Sequence, residues 1–218
     1  MEAFSTNHDP AEVELIRRAG QGDTTGLEAL FEQYRARLRR MIKLRLDRRL
    51  QGRVDPSDVI QEAYLEVSRN LAEYLREPSL PFFIWLRLVT GQKLALAHRK
   101  HLGVHARDAG REVSLYRGAL PEATSAALAA QLIGRHTSPS QAAAKAELKI
   151  RLQDALNSME ELDREVLALR HFEQLTNVET ARALGISETA ACNRYVRALD
   201  RLKKILTGPA GGQGEMWP

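Results

Sequence analysis

The amino-acid sequence predicts an all-α protein that consists of two small helical domains joined by a flexible linker. Strand signals are nearly absent, because there are few alternating β-branched runs and no Asn-Gly or Asp-Gly hairpin turn. Apolar residues instead recur at steps of three and four, and capping residues stand before several of these segments. The chain has 218 residues, 44% hydrophobic and 28% charged, a balance typical of one or two soluble globular domains.

The first domain is predicted at 11–102, after a disordered N-terminus at 1–10. Its first helix carries an apolar stripe of Leu27, Leu30, Phe31, Tyr34 and Leu38. A second helix begins at Asp55-Pro56, since the aspartate suits the N-cap and the proline suits the first helical position. The apolar stripe of this second helix is Val59, Ala63, Val67 and Leu71.

A third helix begins near Pro81 and runs towards His101, where Gly103 favours a helix end. Its apolar positions are Phe82, Trp85, Leu88 and Val89. The regular spacing is then lost over 103–137, a segment rich in glycine and small residues. We interpret 103–137 as the linker, with room for one short helix, because it is longer than most connections within compact domains.

The second domain is predicted at 138–206 and is followed by a disordered Gly/Pro-rich tail at 207–218. Its first helix begins at Ser138-Pro139 and carries the apolar stripe Leu148, Leu152, Leu156 and Met159. Ser158 with Glu161 has the spacing of a capping box, which predicts the start of the next helix.

The last part of this domain predicts a helix-turn-helix. Thr176 with Glu179 repeats the capping-box pattern before a short helix, in which Val178, Ala181 and Leu184 are expected to face inward. Gly185 suits the end of that helix and Ser187 the start of the next. The second helix has an apolar face of Ala191, Tyr195, Ala198 and Leu202. Its other faces hold Thr189, Asn193, Arg194, Arg197 and Arg201, side chains that can bind bases and phosphates. The alternative is an ordinary helical hairpin with a solvated basic face.

Charge is distributed in blocks of alternating sign, although the net charge is only +4. Three segments are basic, at 31–54, 81–111 and 181–206, and acidic segments separate them. This pattern indicates separate surfaces for acidic and basic partners, unless the blocks are chance clusters on solvated faces. The block at 31–54, with nine basic and two acidic residues, is not assigned to any partner.

Two features of the first domain suggest specific contacts. Asp58, Gln61 and Glu62 share a polar helix face that could bind a basic partner helix or only solvent. The aromatic residues Phe82, Phe83 and Trp85 precede the cations Lys93, Arg99 and Lys100. Such a combination suits unstacked bases, but core packing is the better interpretation of Trp85.

Several classes of protein are disfavoured. The single cysteine, Cys192, excludes an intramolecular disulfide and a multi-cysteine zinc site, and it is expected to be an inert small residue. His98, His101 and His105 have helical spacing but lack a carboxylate partner, so no metal or other cofactor is expected. No phosphate-binding loop and no nucleophile–base pair is present, so an enzyme is not expected. No apolar stretch could cross a membrane and no signal pattern is found, so the expected location is the cytoplasm.

At this point the motifs together resemble the extracytoplasmic-function (ECF) sigma factors of bacterial RNA polymerase. The segment Asp58-Val-Ile-Gln-Glu-Ala-Tyr64 is similar to the family's D-x-x-Q-E-x-F/Y helix. Pro81-Phe-Phe-Ile-Trp-Leu86 and the basic helix after it look like the segment that opens the minus-ten element. Residues 160–205 resemble the domain that binds the minus-thirty-five element. Gln92, Leu96 and Cys192 depart from residues that are common in the family.

The resemblance implies sigma region 2 at 11–102 and sigma region 4 at 138–206, with promoter DNA and core RNA polymerase as partners. The polymerase-binding residues would be Asp55, Asp58, Gln61 and Glu62, on the β′ clamp helices. Arg76, Ser79, Leu80, Phe82 and Phe83 would capture a flipped base and melt the minus-ten element, and Lys93, Arg99 and Lys100 would hold the backbone. Thr189, Asn193, Arg194, Arg197 and Arg201 would bind the minus-thirty-five element.

The resemblance further implies that the linker lies in polymerase channels, that the acidic face of 147–180 meets the β flap, and that an anti-sigma factor is a plausible partner. The rival hypotheses are a stand-alone DNA-binding regulator, which would bind operators as a dimer, and a nucleic-acid enzyme.

Overall fold

The computed structural model describes residues 9–102, 123–134 and 142–207. These residues form helices, turns and short connections, and none of them lies in a strand, so the predicted all-α class is confirmed. The chain forms two compact units that divide between residues 121 and 122.

Over residues 9–102 the first unit contains four α-helices. They are α1 (Pro10–Gly20), α2 (Thr24–Arg45), α3 (Pro56–Arg76) and α4 (Phe82–Leu102), with a 3₁₀ turn at Arg48–Leu50 after α2. Helix α1 packs on α2, α2 on α3, and α3 on α4. Three aspartate N-caps, each accepting a backbone N–H two residues on, start α1, α2 and α3: Asp9, Asp23 and Asp55. The predicted helix start at Asp55-Pro56 is therefore confirmed, because the Asp55 carboxylate accepts the Ser57 N–H at 2.7 Å.

The core of the first unit is built from the predicted stripes of α2 and α3, all of whose members are buried. An aromatic cluster continues this core at the start of α4. Tyr34 and Phe83 lie 4.8 Å apart, and Tyr74 stacks on Trp85 at 4.3 Å. The Tyr74 hydroxyl donates to the Leu80 carbonyl at 2.8 Å, which fixes the loop between α3 and α4 to the cluster. Burial raises the pKa of Tyr74, so this donor stays protonated.

The described part of the second unit, 123–134 and 142–207, contains five α-helices. They are α5 (Ser125–Gly134), α6 (Ala142–Asn157), α7 (Glu161–Leu167), α8 (Asn177–Leu184) and α9 (Glu188–Thr207), with a π-helical turn at Ala168–Phe172. Helix α5 packs on α6, and α6, α7 and α8 each pack on α9. Helix α5 falls inside the segment 103–137 and has Leu128 and Ala129 fully buried. Residues 103–122 and 135–141, which include the Ser138-Pro139 start, lie outside the described residues, as do 1–8 and the tail from 208.

The helix-turn-helix is present, and its caps are those predicted. Thr176 and Glu179 form a reciprocal capping box. Gly185 adopts the left-handed conformation at φ 62°, and the Ser187 hydroxyl accepts the Ala190 N–H at 3.1 Å.

Two predictions about this unit are wrong. Ser158 does not cap α7, because its hydroxyl donates back to the Ala155 carbonyl at 2.8 Å as part of the end of α6, and α7 starts without a side-chain cap. Val178 does not face inward: it is 44% exposed, because α8 buries the opposite arc that contains Thr180, Ala183 and Leu184.

Candidate protein and nucleic-acid interfaces

The four residues predicted to bind polymerase, Asp55, Asp58, Gln61 and Glu62, lie exposed along the first two turns of α3. The pKa of the Asp55 carboxyl is lowered by its hydrogen bonds with Ser57, and the nearby charges of Arg39 and Lys43 add to this. The helix start is thus an acidic, solvent-facing surface held by its own cap.

A groove of about 670 Å³ lies beside this surface, between α2 and α3. Its apolar lining includes Phe31, Ile60 and Tyr64, and the Phe31 and Tyr64 rings meet edge to face at 5.0 Å. The polar lining comprises Thr25, Glu28, Glu32, Arg35, Ser57 and Gln61. Phe31 and Ile60 are buried and Tyr64 is half-buried, so the accessible lining is mainly polar, and its glutamates suit a partner with basic residues.

Sequence analysis missed the contribution of α2 to this groove. Glu28 and Glu32 are one turn apart, so their i,i+4 spacing was the available signal. Each of them directly follows a residue of the predicted apolar stripe, Leu27 or Phe31, so the hydrophobic pattern of this segment indicates the buried face of α2 and not its acidic face.

A second groove, of about 580 Å³, lies between the end of α3, the loop after it and α4. Two residues predicted to capture a base, Arg76 and Ser79, line it together with Tyr74, Trp85 and Gln92. Leu80 is half-buried, and its carbonyl accepts the Tyr74 hydroxyl. The half-buried Trp85, which stacks on the buried Tyr74, therefore gives this groove an aromatic side chain. Glutamates also line it: Glu66, Glu73 and Glu77.

Phe82 and Phe83 do not belong to that surface, and the prediction that their rings contact a base needs correction. Phe82 is 1% exposed and Phe83 5% exposed, because the first turn of α4 enters the core. The Phe83 ring is covered by Tyr34 and by the Arg37 guanidinium, whose central carbon lies 3.6 Å from the ring centroid. Phe82 and Phe83 therefore belong to the core that supports the loop between α3 and α4.

The predicted phosphate contact Lys93 also has a partner inside the protein. Its Nζ lies 2.8 Å from Oε2 of Glu66, so it joins α4 to α3, and its side chain is only 18% exposed. Hydrogen bonds from Lys93 and then Asn70 lower the pKa of the Glu66 carboxyl. Arg99 and Lys100, in contrast, are exposed in the last turn of α4.

Helix α9 presents an exposed stripe away from its buried face. Ala191, Ala198 and Leu202 are buried as predicted. The exposed side chains of α9 include Thr189, Cys192, Asn193, Val196, Arg197 and Arg201. Sequence analysis missed Val196, which is 51% exposed and shares the three- and four-residue spacing of Thr189, Cys192 and Asn193.

Arg194 is directed towards α7 rather than outward. Its Nη1 lies 2.6 Å from Oδ1 of Asp163 and 2.9 Å from Oε2 of Glu160, and its side chain is 24% exposed. Glu160 and then Asp163 raise the pKa of the Arg194 guanidinium. Arg197 reaches the same Asp163 at 3.7 Å but remains 63% exposed. Of these two arginines, Arg194 ties α9 to the start of α7, and Arg197 presents its charge to solvent.

Within the described ranges no group of three or more histidine, cysteine or acidic side chains is placed to hold a metal ion. Nε2 of His98 accepts the Asp47 N–H at 3.3 Å, His101 is exposed and His105 is outside the described residues. None of the described helices combines the length and the apolar character that a membrane crossing requires.

Comparison with known proteins identifies the family. The family description "Sigma-70, region 4" matches residues 149–202, which include the helix-turn-helix. The ECF RNA polymerase sigma factor SigD of Mycobacterium bovis is 30% identical over 189 residues, or 87% of this chain and 81% of the relative. SigD of Mycobacterium tuberculosis matches to the same extent.

The fold is similar to that in a solved structure described as CnrH in complex with the cytosolic domain of CnrY. The TM-score is 0.52 at 20% identity, covering 91% of this chain and 99% of the other. The chain belongs to the ECF sigma factors, the family of RNA polymerase subunits that act in transcription initiation.

Proposed function

We propose that this chain binds core RNA polymerase in the cytoplasm, directs it to specific promoters and has no catalytic activity of its own. The observation that carries the proposal is the acid-rimmed groove between α2 and α3, in a chain whose relatives are ECF RNA polymerase sigma factors. A stand-alone regulator has no need for a second, acidic docking surface beside its DNA-binding helix.

The polymerase partner at this groove is an amphipathic helix with basic residues, which by family resemblance belongs to the β′ clamp helices. Its apolar side chains would contact the half-buried Tyr64, and its cations would meet Glu28 and the acids of α3, whereas Glu32 already pairs with Arg35 at 2.6 Å. By family resemblance, the acidic face of 147–180 would meet the β flap.

The groove beside α4 takes the flipped base of the minus-ten element. Unstacking a base costs on the order of a few kcal/mol, so the site must offer compensating contacts. The stacked Tyr74–Trp85 pair offers an aromatic surface, while Arg76 and Ser79 offer hydrogen-bond donors. Arg99 and Lys100 hold the adjacent backbone.

Helix α9 binds the minus-thirty-five element in the major groove. Asn193 can pair with adenine through two hydrogen bonds, and the exposed Val196 suits the methyl group of thymine. Arg197 and Arg201 bind phosphates, while Arg194 fixes the position of α9 against α7 through its contact with Asp163.

The fold can also accept a protein partner, since the similar CnrH was solved with the cytosolic domain of CnrY. An anti-sigma factor that covers the two DNA-binding surfaces is the partner that the family suggests.

Run-off transcription with purified core polymerase tests the proposal. With a library of genomic fragments, adding this chain should produce promoter-specific transcripts that core polymerase alone does not make. If the chain binds one fragment specifically without polymerase and adds no transcripts, it is a stand-alone regulator.

Asp58→Lys and Glu62→Lys test the docking surface in a pull-down of core polymerase. Each should weaken the interaction about tenfold, because a reversed charge meets a cation of the partner. Glu14→Lys serves as the control: it reverses an exposed glutamate on α1 and, in addition, removes the ion pair of Glu14 with Arg17. Equal affinity of all three variants would remove the assignment of this surface.

A further inference from the structure

Glutamates line the groove between α3 and α4 beside the residues proposed to capture a base. Glu66, Glu73 and Glu77 are among its lining residues, and so is Asn70. These four recur at steps of four, three and four along α3 and its C-cap, so one face of this helix presents them to the groove. Carboxylates repel phosphates, so this wall of the groove is unsuited to the nucleic-acid backbone and suited to a group that donates hydrogen bonds.

Glu66 lies at the end of the groove that is remote from the loop after α3. Its Oε2 lies 2.8 Å from Nζ of Lys93, and its Oε1 accepts the Asn70 amide at 2.8 Å. Ten residues of helix separate Glu66 from Arg76, or about 15 Å along the axis of α3. The Glu66 carboxylate therefore joins α3 to α4 and is remote from the residues of the loop.

Glu73 and Glu77 lie at the loop end of the groove. Glu73 immediately precedes Tyr74, whose ring stacks on that of Trp85 at 4.3 Å, and Glu77 is the C-cap one turn later. Both glutamates are exposed, and Trp85 is half-buried. A base that lies against Trp85 at this end therefore has carboxylates beside it as acceptors, in addition to the donors Arg76 and Ser79.

We propose that this groove selects a captured base that carries an exocyclic amino group and rejects thymine, with Glu73 and Glu77 as the acceptors that read it. The inference rests on the proposed function, because it names the bases that the capture groove takes. A flipped base is recognised through stacking and through hydrogen bonds to its Watson–Crick edge. Adenine, cytosine and guanine each offer an amino group to a carboxylate, as N4 of cytosine does to glutamate in the major groove.

Thymine lacks this amino group. Its Watson–Crick edge presents a carbonyl oxygen on either side of one N–H, so a carboxylate would meet an acceptor and remain without a donor, which is costly once water is excluded. Cytosine fits the loop end of the groove on both counts. Its amino group can donate to a glutamate, while its O2 and N3 can accept from Arg76 and Ser79. A site built around such hydrogen bonds discriminates strongly against a base that cannot form them.

The test uses the full chain assembled with core polymerase and single-stranded oligonucleotides that carry the minus-ten element of a promoter recovered in the transcription experiment. The captured position is the one at which an abasic site weakens binding most. At that position deoxycytidine is compared with deoxyuridine, which has a carbonyl oxygen in place of the amino group. Deoxyadenosine is compared in the same way with purine deoxyriboside, which lacks the amino group.

We expect deoxycytidine to bind about tenfold more tightly than deoxyuridine, and deoxyadenosine more tightly than purine deoxyriboside. The double variant Glu73→Gln, Glu77→Gln keeps the size of both side chains but gives each an amide donor, so its preference for the amino-bearing bases should fall several-fold. Glu14→Gln is the control, because Glu14 is an exposed glutamate of α1 whose ion pair with Arg17 lies outside the groove. It should keep the wild-type preference.

Equal binding of deoxycytidine and deoxyuridine by the wild type, at a position where an abasic site weakens binding, overturns this inference and leaves the proposed function intact. If the double variant binds all four oligonucleotides more tightly by the same factor, the carboxylates only repel the backbone, which also overturns it. Weaker binding of the double variant to core polymerase overturns it as well, because the groove would then contact protein. If the wild-type complex shows no preference for the minus-ten oligonucleotide, the proposed function fails and this inference fails with it.

Discussion

The two helices proposed to bind DNA, α4 and α9, are anchored to their units in different ways. Helix α4 inserts Phe82, Phe83 and Leu86 into an aromatic and aliphatic core. Helix α9 buries smaller side chains, such as Ala191 and Ala198, and is tied to α7 through Arg194. The first anchor depends on apolar area and the second partly on charge, so the two respond differently to mutation, salt and pH.

The comparison also shows that the basic residues of a helix do not by themselves reveal which of them are free to contact DNA. Lys93 in α4 and Arg194 in α9 fit the pattern of phosphate-binding cations, yet each contacts a carboxylate of a neighbouring helix. In both helices exposed cations lie elsewhere, for example Arg99 and Lys100 in α4 and Arg197 and Arg201 in α9.

The largest effect is expected from Phe82→Ala. Phe82 is 1% exposed and contacts Tyr34, Tyr74 and Trp85, so its truncation leaves a cavity and should lower the free energy of unfolding of the first unit by about 3–5 kcal/mol. Urea unfolding can be followed by the fluorescence of Trp85 in a Trp217→Phe background.

Leu65→Ala is the control for this experiment, since Leu65 lies on α3 but is 51% exposed. Its effect should stay within about 0.5 kcal/mol. If Phe82→Ala is no more destabilising than Leu65→Ala, the apolar anchor of α4 is wrongly described.

A smaller effect is expected from Arg194→Met. This change removes the tie between α9 and α7 but keeps most of the aliphatic side chain, so the second unit should lose about 1 kcal/mol of stability. The difference in stability between wild type and variant should be smaller in concentrated salt, because salt screens the ion pair of Arg194 in the wild type. Hydrogen exchange of the α9 amides measures it.

Arg201→Met is the matched variant, because Arg201 is an exposed arginine about two turns further along α9. It should leave α9 exchange unchanged. Faster exchange of equal size in both variants would mean that general charge, and not the tie to α7, stabilises the helix.

The sequence predicts the elements with local signals well. Asp55-Pro56 marks the start of α3, and the Thr176–Glu179 box with Gly185 marks both ends of α8. Helix α1 was missed although Asp9-Pro10 has the same form as Asp55-Pro56, because its apolar positions are few.

What the sequence could not supply is the tertiary pairing of side chains. Phe82 and Phe83 precede cations in the chain, but whether their rings face bases or the core depends on how α4 is rotated against α2. The acids that bind Lys93 and Arg194 lie 27 and 31 residues away, at Glu66 and Asp163, and no local pattern connects them.

A change in DNA binding without a change in fold is expected from Arg197→Gln. Arg197 is 63% exposed and only loosely associated with Asp163, so the variant should keep the stability of α9. Its promoter affinity should fall a few-fold and its salt slope should decrease by about one, because a phosphate contact is lost.

Arg194→Gln provides the contrast on the same helix. As a positioning residue it should lower promoter affinity while leaving the salt slope of the complex unchanged. A reduced slope for Arg194→Gln and an unchanged slope for Arg197→Gln would exchange the roles assigned to these two arginines.

The smallest expected effect is the pH dependence of stability. It differs between the two units because a different group titrates in each of them. Burial lowers the pKa of His98 below its ordinary 6.5, whereas the contact with Arg194 lowers the pKa of Glu160 below its ordinary 4.5. In each case the group binds its proton more readily in the unfolded chain. Stability is therefore complete above the ordinary pKa and is lost as the pH falls through the lowered one.

The first unit should consequently begin to lose stability below about pH 6.5, while the Arg194 tie of the second unit persists until below about pH 4.5. His98→Gln removes the titrating group and retains an acceptor for the Asp47 N–H, so it should flatten the pH dependence of the first unit between pH 5 and 6.5 without altering the exchange of α9. Unfolding monitored by Trp85 across this range measures the slope. The same slope in His98→Gln as in the wild type would show that another group of the first unit binds the proton, and that the junction between the 3₁₀ turn and α4 does not depend on a neutral imidazole.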